Sequence, residues 1–136
     1  MKIFLTGYSE EFDKGVGSWR REFTRVFQRY TSLQIFNSIL GNRESFDINK
    51  KLLEENRAKL KQSHLVIAKI NEILDIETLI ELGGAYVLGI PVYGFGDINT
   101  IKSSILLQHC VEVFFPDLES LMVVLKRELR NGRWKI

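Results

Sequence analysis

Short apolar runs alternate with longer helical patterns along the whole chain, and this alternation limits the possible folds most. Each run is a few residues long and is rich in β-branched or aromatic side chains, as expected for buried strands. The runs occupy residues 2–6, 33–36, 64–70, 91–95 and 110–115. Parallel strands joined by helices give this order, so the pattern predicts a parallel sheet with helices on both faces.

Apolar side chains at helical spacing predict the elements between these runs. Helices are expected over residues 18–30, 46–62 and 117–130, and a further helix is expected to start near Thr78. The connections are too short for a barrel of eight units. We therefore predict one α/β domain over residues 1–136, doubly wound and flavodoxin-like (Rossmann-like), with a five-stranded parallel sheet in the order 2-1-3-4-5.

Charge and cysteine content narrow the classes of partner and compartment. Nineteen basic and seventeen acidic side chains leave a net charge of +2, too small to indicate a nucleic-acid groove or a membrane surface. The expected partner is a small molecule. The single cysteine, Cys110, forbids an intrachain disulfide, and no apolar run reaches the roughly 18 residues of a membrane span. These features favour a cytoplasmic protein.

Ligands of doubly wound sheets bind at the carboxyl ends of the strands, where the strand order reverses. This rule selects the loops at residues 7–17, 37–45 and 71–75. Neither the glycine fingerprint of dinucleotide-binding folds nor a P-loop motif occurs in the chain, so no nucleotide cofactor is predicted. His64 and His109 have no neighbouring ligand cluster in the sequence, so no metal site is predicted either.

Several polar residues around residue 80 admit a structural interpretation beside a catalytic one. Thr78 and Glu81 have the spacing of a capping box, in which Glu81 would fold back onto the helix start. Asp75 could equally be the helix cap. Gly83 and Gly84 each cost about 1 kcal/mol in a helix relative to alanine, which indicates that something approaches the helix closely.

Two further residues also admit both a structural and a functional interpretation. Asn56 interrupts an apolar stripe and is more commonly an amide at the surface edge, although it could reach a ligand. Trp19, with the other aromatic residues of its helix, is more commonly part of a core than a stacking platform for a base.

In residues 75–92, Asp75 and Thr78 precede Glu81-Leu82-Gly83, and Ala85, Gly89 and Pro91-Val92 follow. In this stretch the chain most strongly resembles the nucleoside 2-deoxyribosyltransferase family and the related deoxynucleotide N-glycosidases. The first strand, which ends in Gly7, and the Trp19-Arg20 pair at the start of a helix are similar to the family as well. The resemblance spans roughly residues 2–115.

The resemblance implies a chemistry. In that family the glutamate of E-L-G, here Glu81, attacks the anomeric carbon of a 2-deoxynucleoside, expels the base and forms a covalent glycosyl-enzyme. Asp75 would serve as the second catalytic residue, beside the sugar. The expected substrate-binding residues are Phe4, Gly7, Tyr8, Trp19, Asn56, Thr78 and Ser103.

The chain also departs from the family pattern. Phe4 stands where several members have a tyrosine, Asn56 where they have an aspartate, and Ile90 where they have a lysine. A non-catalytic nucleoside-binding or sensor domain and a NAD-cleaving glycohydrolase therefore stay open as alternatives. The apolar residues of segment 97–109, joined to the family habit of lending residues to a neighbouring subunit, predict a homo-oligomer.

Overall fold

The computed structural model describes residues 1–7, 19–38, 46–72 and 74–134, and side chains within 46–49 are not described. These residues form five strands and six helices, with one helix after each strand except β4, which two helices follow. The strands are β1 (Lys2–Thr6), β2 (Gln34–Asn37), β3 (Leu65–Ile70), β4 (Val92–Gly96) and β5 (Val113–Phe115). The helices are α1 (Trp19–Phe27), α2 (Phe46–Gln62), α3 (Ile76–Leu88), α4 (Ile98–Lys102), α5 (Ile105–Cys110) and α6 (Leu118–Arg130).

All four strand pairings are parallel, and the strands lie in the order β2-β1-β3-β4-β5. The predicted fold class and strand order are thus confirmed. The order reverses between β1 and β3, which are neighbours with Leu5 opposite Ile67. The carboxyl ends of these two strands therefore form the switch point at which such sheets bind ligands.

Successive strand residues point to opposite faces, so the sheet separates two cores. One core packs α1 and α6 against side chains such as Ile3, Leu5 and Ile67. The other packs α2, α3 and α5 against alternate strand residues such as Phe4, Val66 and Ala68. α3, which carries Glu81, therefore lies on the second face, while Trp19 and its helix lie on the first.

The run predicted as the fifth strand was too long. Residues 105–110 form α5, and β5 begins only at Val113. The apolar side chains of this stretch gave no distinction between strand and helix, because a short buried helix and a short buried strand are both continuously apolar. Ser104 fixes the start of the helix, because its side chain accepts a hydrogen bond from the Leu107 amide and caps α5.

None of the helices in the described part of the chain combines the length and apolarity needed to cross a bilayer.

Candidate active site

The start of α3 is fixed by Asp75. Its carboxylate accepts a hydrogen bond from the Thr78 amide at 3.2 Å and another from the Thr78 hydroxyl. Asp75 is therefore the N-cap, and Ile76 is the first helical residue. This corrects the capping-box interpretation, because Thr78 lies inside the first turn and its amide is already bonded to Asp75. Glu81 lies in the second turn and is not part of the cap.

The Glu81 carboxylate lies in a partly buried, charged environment at the switch point. Burial raises the pKa of Glu81 to about 7; the Arg20 guanidinium opposes this shift, and the Asp75 carboxylate adds to it. The nearby hydroxyls of Thr6 and Ser38 lower the pKa of Glu81, although Oγ1 of Thr6 has no hydrogen-bond partner among the described residues. Oε2 of Glu81 is shielded from solvent and has no hydrogen-bond partner among the described residues. Such a carboxylate is costly to keep ionised, and this accounts for the direction of the shift.

Arg20 holds together the carboxyl ends of two strands beside Glu81. One terminal nitrogen donates to the Leu5 carbonyl at 3.1 Å, and the other donates to the Gly7 carbonyl at 2.7 Å. The same group donates to side chains at the carboxyl end of β2, namely Asn37 at 3.4 Å and Ser38 at 3.2 Å. Burial lowers the pKa of Arg20, and the negative charges of Glu81 and Asp75 counter this. The guanidinium is thus a fixed positive charge between β1, β2 and α3.

Gly7 is required where β1 ends. Its φ of 130° is in the region that favours glycine, and a Cβ there would lie 2.8 Å from the Cβ of Lys69. The carbonyl of Gly7 is one of the two backbone acceptors that fix Arg20. Gly7 therefore belongs to the site through its backbone, as a support for the guanidinium.

Two of the predicted substrate-binding residues are core residues. Phe4 has no exposed surface and lies in the cluster beneath α3 with Leu82. Trp19 is 4% exposed and packs edge-on against Phe95 at 5.3 Å between ring centroids. We correct both predictions, because side chains enclosed on all sides cannot line a cleft. Trp19 still contributes indirectly, since the Arg20 guanidinium lies 5.2 Å from the centroid of its ring.

The other predicted substrate-binding residues lie in several different environments. Thr78 is buried and holds Asp75, as described above. Asn56 is buried within α2, not a surface-edge amide as expected. Ser103 is exposed, and its hydroxyl donates to the Thr100 carbonyl of the preceding helix at 2.6 Å. Tyr8 lies outside the described residues, as does most of the first predicted loop, 7–17, and of the second, 37–45.

Three further residues, Arg20, Thr6 and Ser38, belong to the site although they were not predicted from the sequence. Thr6 and Ser38 could have been found, because each is a polar residue at the carboxyl end of a strand beside the predicted switch point. Arg20 had a weaker signal. Its only signal in the sequence is the Trp-Arg pair, although the first turn of a helix after β1 faces the same edge of the sheet.

Comparison with solved structures gives several proteins of this fold. A 2-deoxyribosyltransferase from Bacillus psychrosaccharolyticus matches with a TM-score of 0.65 and 20% identity, covering 89% of this chain and 90% of that one. A CMP N-glycosidase from Clostridium botulinum matches with a TM-score of 0.57 and 21% identity, over 93% and 98%. A 2-deoxyribosyltransferase from Leishmania mexicana matches with a TM-score of 0.54 and 18% identity, over 69% and 63%.

No family model and no curated protein matches the chain by sequence. The likeness is therefore one of structure, and it extends over nearly the whole of this chain and of two of the proteins compared. The resemblance seen in residues 75–92 is confirmed at the level of the fold: the chain shares the architecture of 2-deoxyribosyltransferases and of a CMP N-glycosidase.

Proposed function

We propose that the chain cleaves or transfers the N-glycosidic bond of 2′-deoxynucleosides or their nucleotides, with Glu81 as the nucleophile. The observation that carries the proposal is the Glu81 carboxylate at the β1–β3 switch point, with Oε2 unpartnered among the described residues and Arg20 fixed nearby. The folds compared above include enzymes of both kinds, which supports the same class of reaction.

The reaction would proceed in two displacements. A Glu81 oxygen attacks the anomeric carbon, the bond from that carbon to the base nitrogen breaks, and its electron pair leaves with the base. Water or a second base then attacks the same carbon and releases the carboxylate. In the transferase case the sugar passes to the second base, and in the hydrolase case it is released as free deoxyribose or its phosphate.

Glu81 must be ionised for the first step. Since its pKa is raised to about 7, roughly half of the molecules carry the nucleophile in its active form at neutral pH. The Arg20 charge opposes the effect of burial and keeps the ionised form accessible. Oε2 is shielded from solvent, and a site that excludes water in this way would favour transfer over hydrolysis.

The departing base also needs a proton. Phe4 has no hydroxyl and is enclosed in the core, and Asn56 is an amide, which cannot supply a proton. Asp75 is the remaining carboxylate of the cluster, but both its oxygens accept hydrogen bonds from Thr78. We therefore propose that Asp75 acts through its charge and that water supplies the proton, or that the base leaves readily.

These same observations favour a second candidate function. A domain that binds nucleosides without cleaving them would keep the switch point and Glu81 but would need no proton donor. Calorimetric binding of a deoxynucleoside with no base release over long incubation would support this binding function and would contradict the enzymatic one.

The experiment is incubation with a panel of deoxynucleosides, ribonucleosides and their 5′-monophosphates, with and without a second free base. Released and exchanged bases are separated by chromatography. We expect deoxyribosides to react at least about tenfold faster than ribosides, because a 2′-hydroxyl would press on the Glu81 carboxylate. Equal rates would contradict the sugar preference. The negative charge of Asp75 further predicts that nucleosides react faster than their monophosphates.

A further inference from the structure

Three polar groups at the switch point have hydrogen-bonding capacity that the described part of the chain does not use. Oγ1 of Thr6 and Oε2 of Glu81 are shielded from solvent and have no partner there. The Ser38 hydroxyl accepts a hydrogen bond from Arg20 at 3.2 Å but donates to none of the described residues. Because buried polar groups are nearly always hydrogen-bonded, three such groups in one place call for a common explanation.

The sheet brings both hydroxyls to Glu81 from neighbouring strands. Thr6 follows Phe4 by two residues in β1 and therefore points to the same face, which α3 covers. The Ser38 amide donates to the Leu5 carbonyl at 3.2 Å, so Ser38 continues the pairing of β2 with β1. Both hydroxyls lie near enough to Glu81 to lower its pKa.

The bond from Arg20 leaves the hydrogen of the Ser38 hydroxyl free to be donated. A hydroxyl has one hydrogen and two lone pairs, and a terminal nitrogen of Arg20 donates to one of these lone pairs. The positive charge of the guanidinium turns the hydroxyl hydrogen away from Arg20. The same nitrogen of Arg20 donates to the Gly7 carbonyl at 2.7 Å, so the orientation of this group is fixed.

Glu81 is the carboxylate that this hydrogen can reach. The charged groups that act on Glu81 are Arg20 on α1 and Asp75 at the start of α3. Both oxygens of Asp75 already accept hydrogen bonds from Thr78. Arg20 and Glu81 form no ion pair with each other in the part of the chain that the structure describes. Ser38 is therefore the group that can connect the guanidinium to Glu81.

We propose that Ser38 is a positioning residue that relays the charge of Arg20 to Glu81, accepting a hydrogen bond from the guanidinium and donating one to the ionised carboxylate. Thr6 supplies a second donor from beneath α3. A protonated carboxyl group or a glycosyl ester is a weaker acceptor than a carboxylate, so both hydroxyls favour the ionised form. Ser38 would thereby set the pH range in which the site works, and its effect on rate rests on the function proposed above.

The test titrates the Glu81 carboxyl group directly. Glutamate side chains are labelled with carbon-13 for NMR, and the Glu81 signal is identified by its loss in Glu81→Gln. The wild-type midpoint should lie near pH 7. Ser38→Ala should raise this midpoint by about one pH unit, because a hydrogen bond to a charged group is lost. Ser38→Thr keeps the hydroxyl and should restore the midpoint.

Ser63→Ala is the matched control. Ser63 is also a shielded serine, and its hydroxyl donates to the Lys59 carbonyl at 2.8 Å at the end of α2. That position is at the opposite edge of the sheet from Glu81, so the substitution should leave the Glu81 midpoint unchanged.

A double variant distinguishes a relay from an independent effect of the hydroxyl. Arg20→Met removes the donor that orients Ser38, so adding Ser38→Ala to it should raise the midpoint by less than about half of the change seen in the wild type. Equal changes in the two backgrounds would overturn the relay. An unchanged midpoint in Ser38→Ala alone would overturn it as well.

A pH–rate profile separates positioning from a merely structural role. Ser38→Ala should lower base release about tenfold below pH 7 and leave it within about twofold at pH 9, where Glu81 is ionised in both proteins. A loss of the same size at every pH would overturn the proposal. Absence of base release by the wild type would overturn the proposed function instead, while the titration, which needs no turnover, would still decide whether Ser38 acts on Glu81.

Discussion

Glu81 and Glu128 are two glutamates on helices packed against opposite faces of one sheet, and they differ in their partners. Both oxygens of Glu128 lie 2.9 Å from the Tyr93 hydroxyl, and Arg133 forms an ion pair with the same carboxylate at 2.9 Å. Glu81 has an oxygen with no hydrogen-bond partner among the described residues, and its pKa is raised to about 7. Glu128 is therefore satisfied within the chain, whereas Glu81 has bonding capacity left over.

This difference separates a structural carboxylate from a candidate catalytic one. Burial is common to both residues and does not distinguish them. Glu128 lies away from the switch point, and burial and its hydrogen bond to Glu128 raise the pKa of the Tyr93 hydroxyl, so the pair is a stable internal contact. Glu81 lies where parallel sheets bind ligands and is under-bonded there, which is the combination expected of a group that reacts.

The largest expected effect is on activity. Glu81→Gln should lower base release or exchange by about 10³-fold or more, because the amide is isosteric but is not a nucleophile. Glu128→Gln makes the same chemical change away from the site and should leave the rate within a few fold. Rates come from chromatography of the bases, and circular dichroism verifies that both variants fold. Near-full turnover by Glu81→Gln would remove the distinction between the two glutamates.

The next effect concerns stability and pH. The folded pKa of Glu81 is about 7 and its ordinary value is 4.5. Between these values the folded state binds a proton that the unfolded state has released, so this group makes the folded state less stable as pH rises. Between pH 4.5 and 8, the free energy of unfolding of the wild type should fall by about 3 kcal/mol relative to that of Glu81→Gln. This is an upper value, because Glu81 is only partly buried. Urea unfolding of both proteins across this pH range measures the difference. Parallel curves of unfolding free energy against pH would contradict the prediction.

Arg20 should control the pH at which Glu81 becomes active. Arg20→Met removes the charge that lowers the pKa of Glu81, so the rising limb of activity should move above pH 7 and the rate at pH 7 should fall about tenfold. Arg20→Lys keeps the charge and loses the forked contact to Leu5 and Gly7, so it should keep the midpoint near 7. A pH–rate profile distinguishes the variants, and identical midpoints in all three proteins would exclude an electrostatic role for Arg20.

The smallest effect is expected at Glu128. Glu128→Gln keeps one acceptor for the Tyr93 hydroxyl and loses the ion pair to Arg133, whose side chain is 53% exposed. We expect a loss of about 1 kcal/mol in the free energy of unfolding, because a solvated ion pair contributes little. Thermal unfolding of this variant measures the loss, and a change of several kcal/mol would show that Glu128 is not satisfied in the way described.

Most of the fold could be predicted because strand and helix periods differ. β1 at Lys2–Thr6 and α2 at Phe46–Gln62 were predicted with their observed bounds, since each has a clear period and a clear end. α5 was missed because Ile105–Cys110 is apolar and too short to show a period. The buried position of Asn56 was also missed, since an amide in an apolar stripe has no local signal of how deeply its helix packs.

Glu81 and Asp75 could be selected from sequence because their spacing matches a family motif, but the neighbouring charge of Arg20 could not. Arg20 reaches the site by contacts to Leu5 and Ser38, which lie 15 and 18 residues away in sequence, so only the sheet topology brings these groups together. The environment of Phe4 also depends on the tertiary structure. Its place in the strand was clear, but the face to which it points depends on how α3 covers the sheet.

The central claim is that Glu81 forms a covalent bond to the sugar, and intact mass spectrometry tests it directly. The protein is mixed with a deoxynucleoside without an acceptor base, quenched in acid within the first turnovers, and digested to locate any adduct. We predict a mass increase of one 2-deoxyribosyl group on the peptide that contains Glu81, and none in Glu81→Gln. Base release without any such adduct, or an adduct on another residue, would contradict the account.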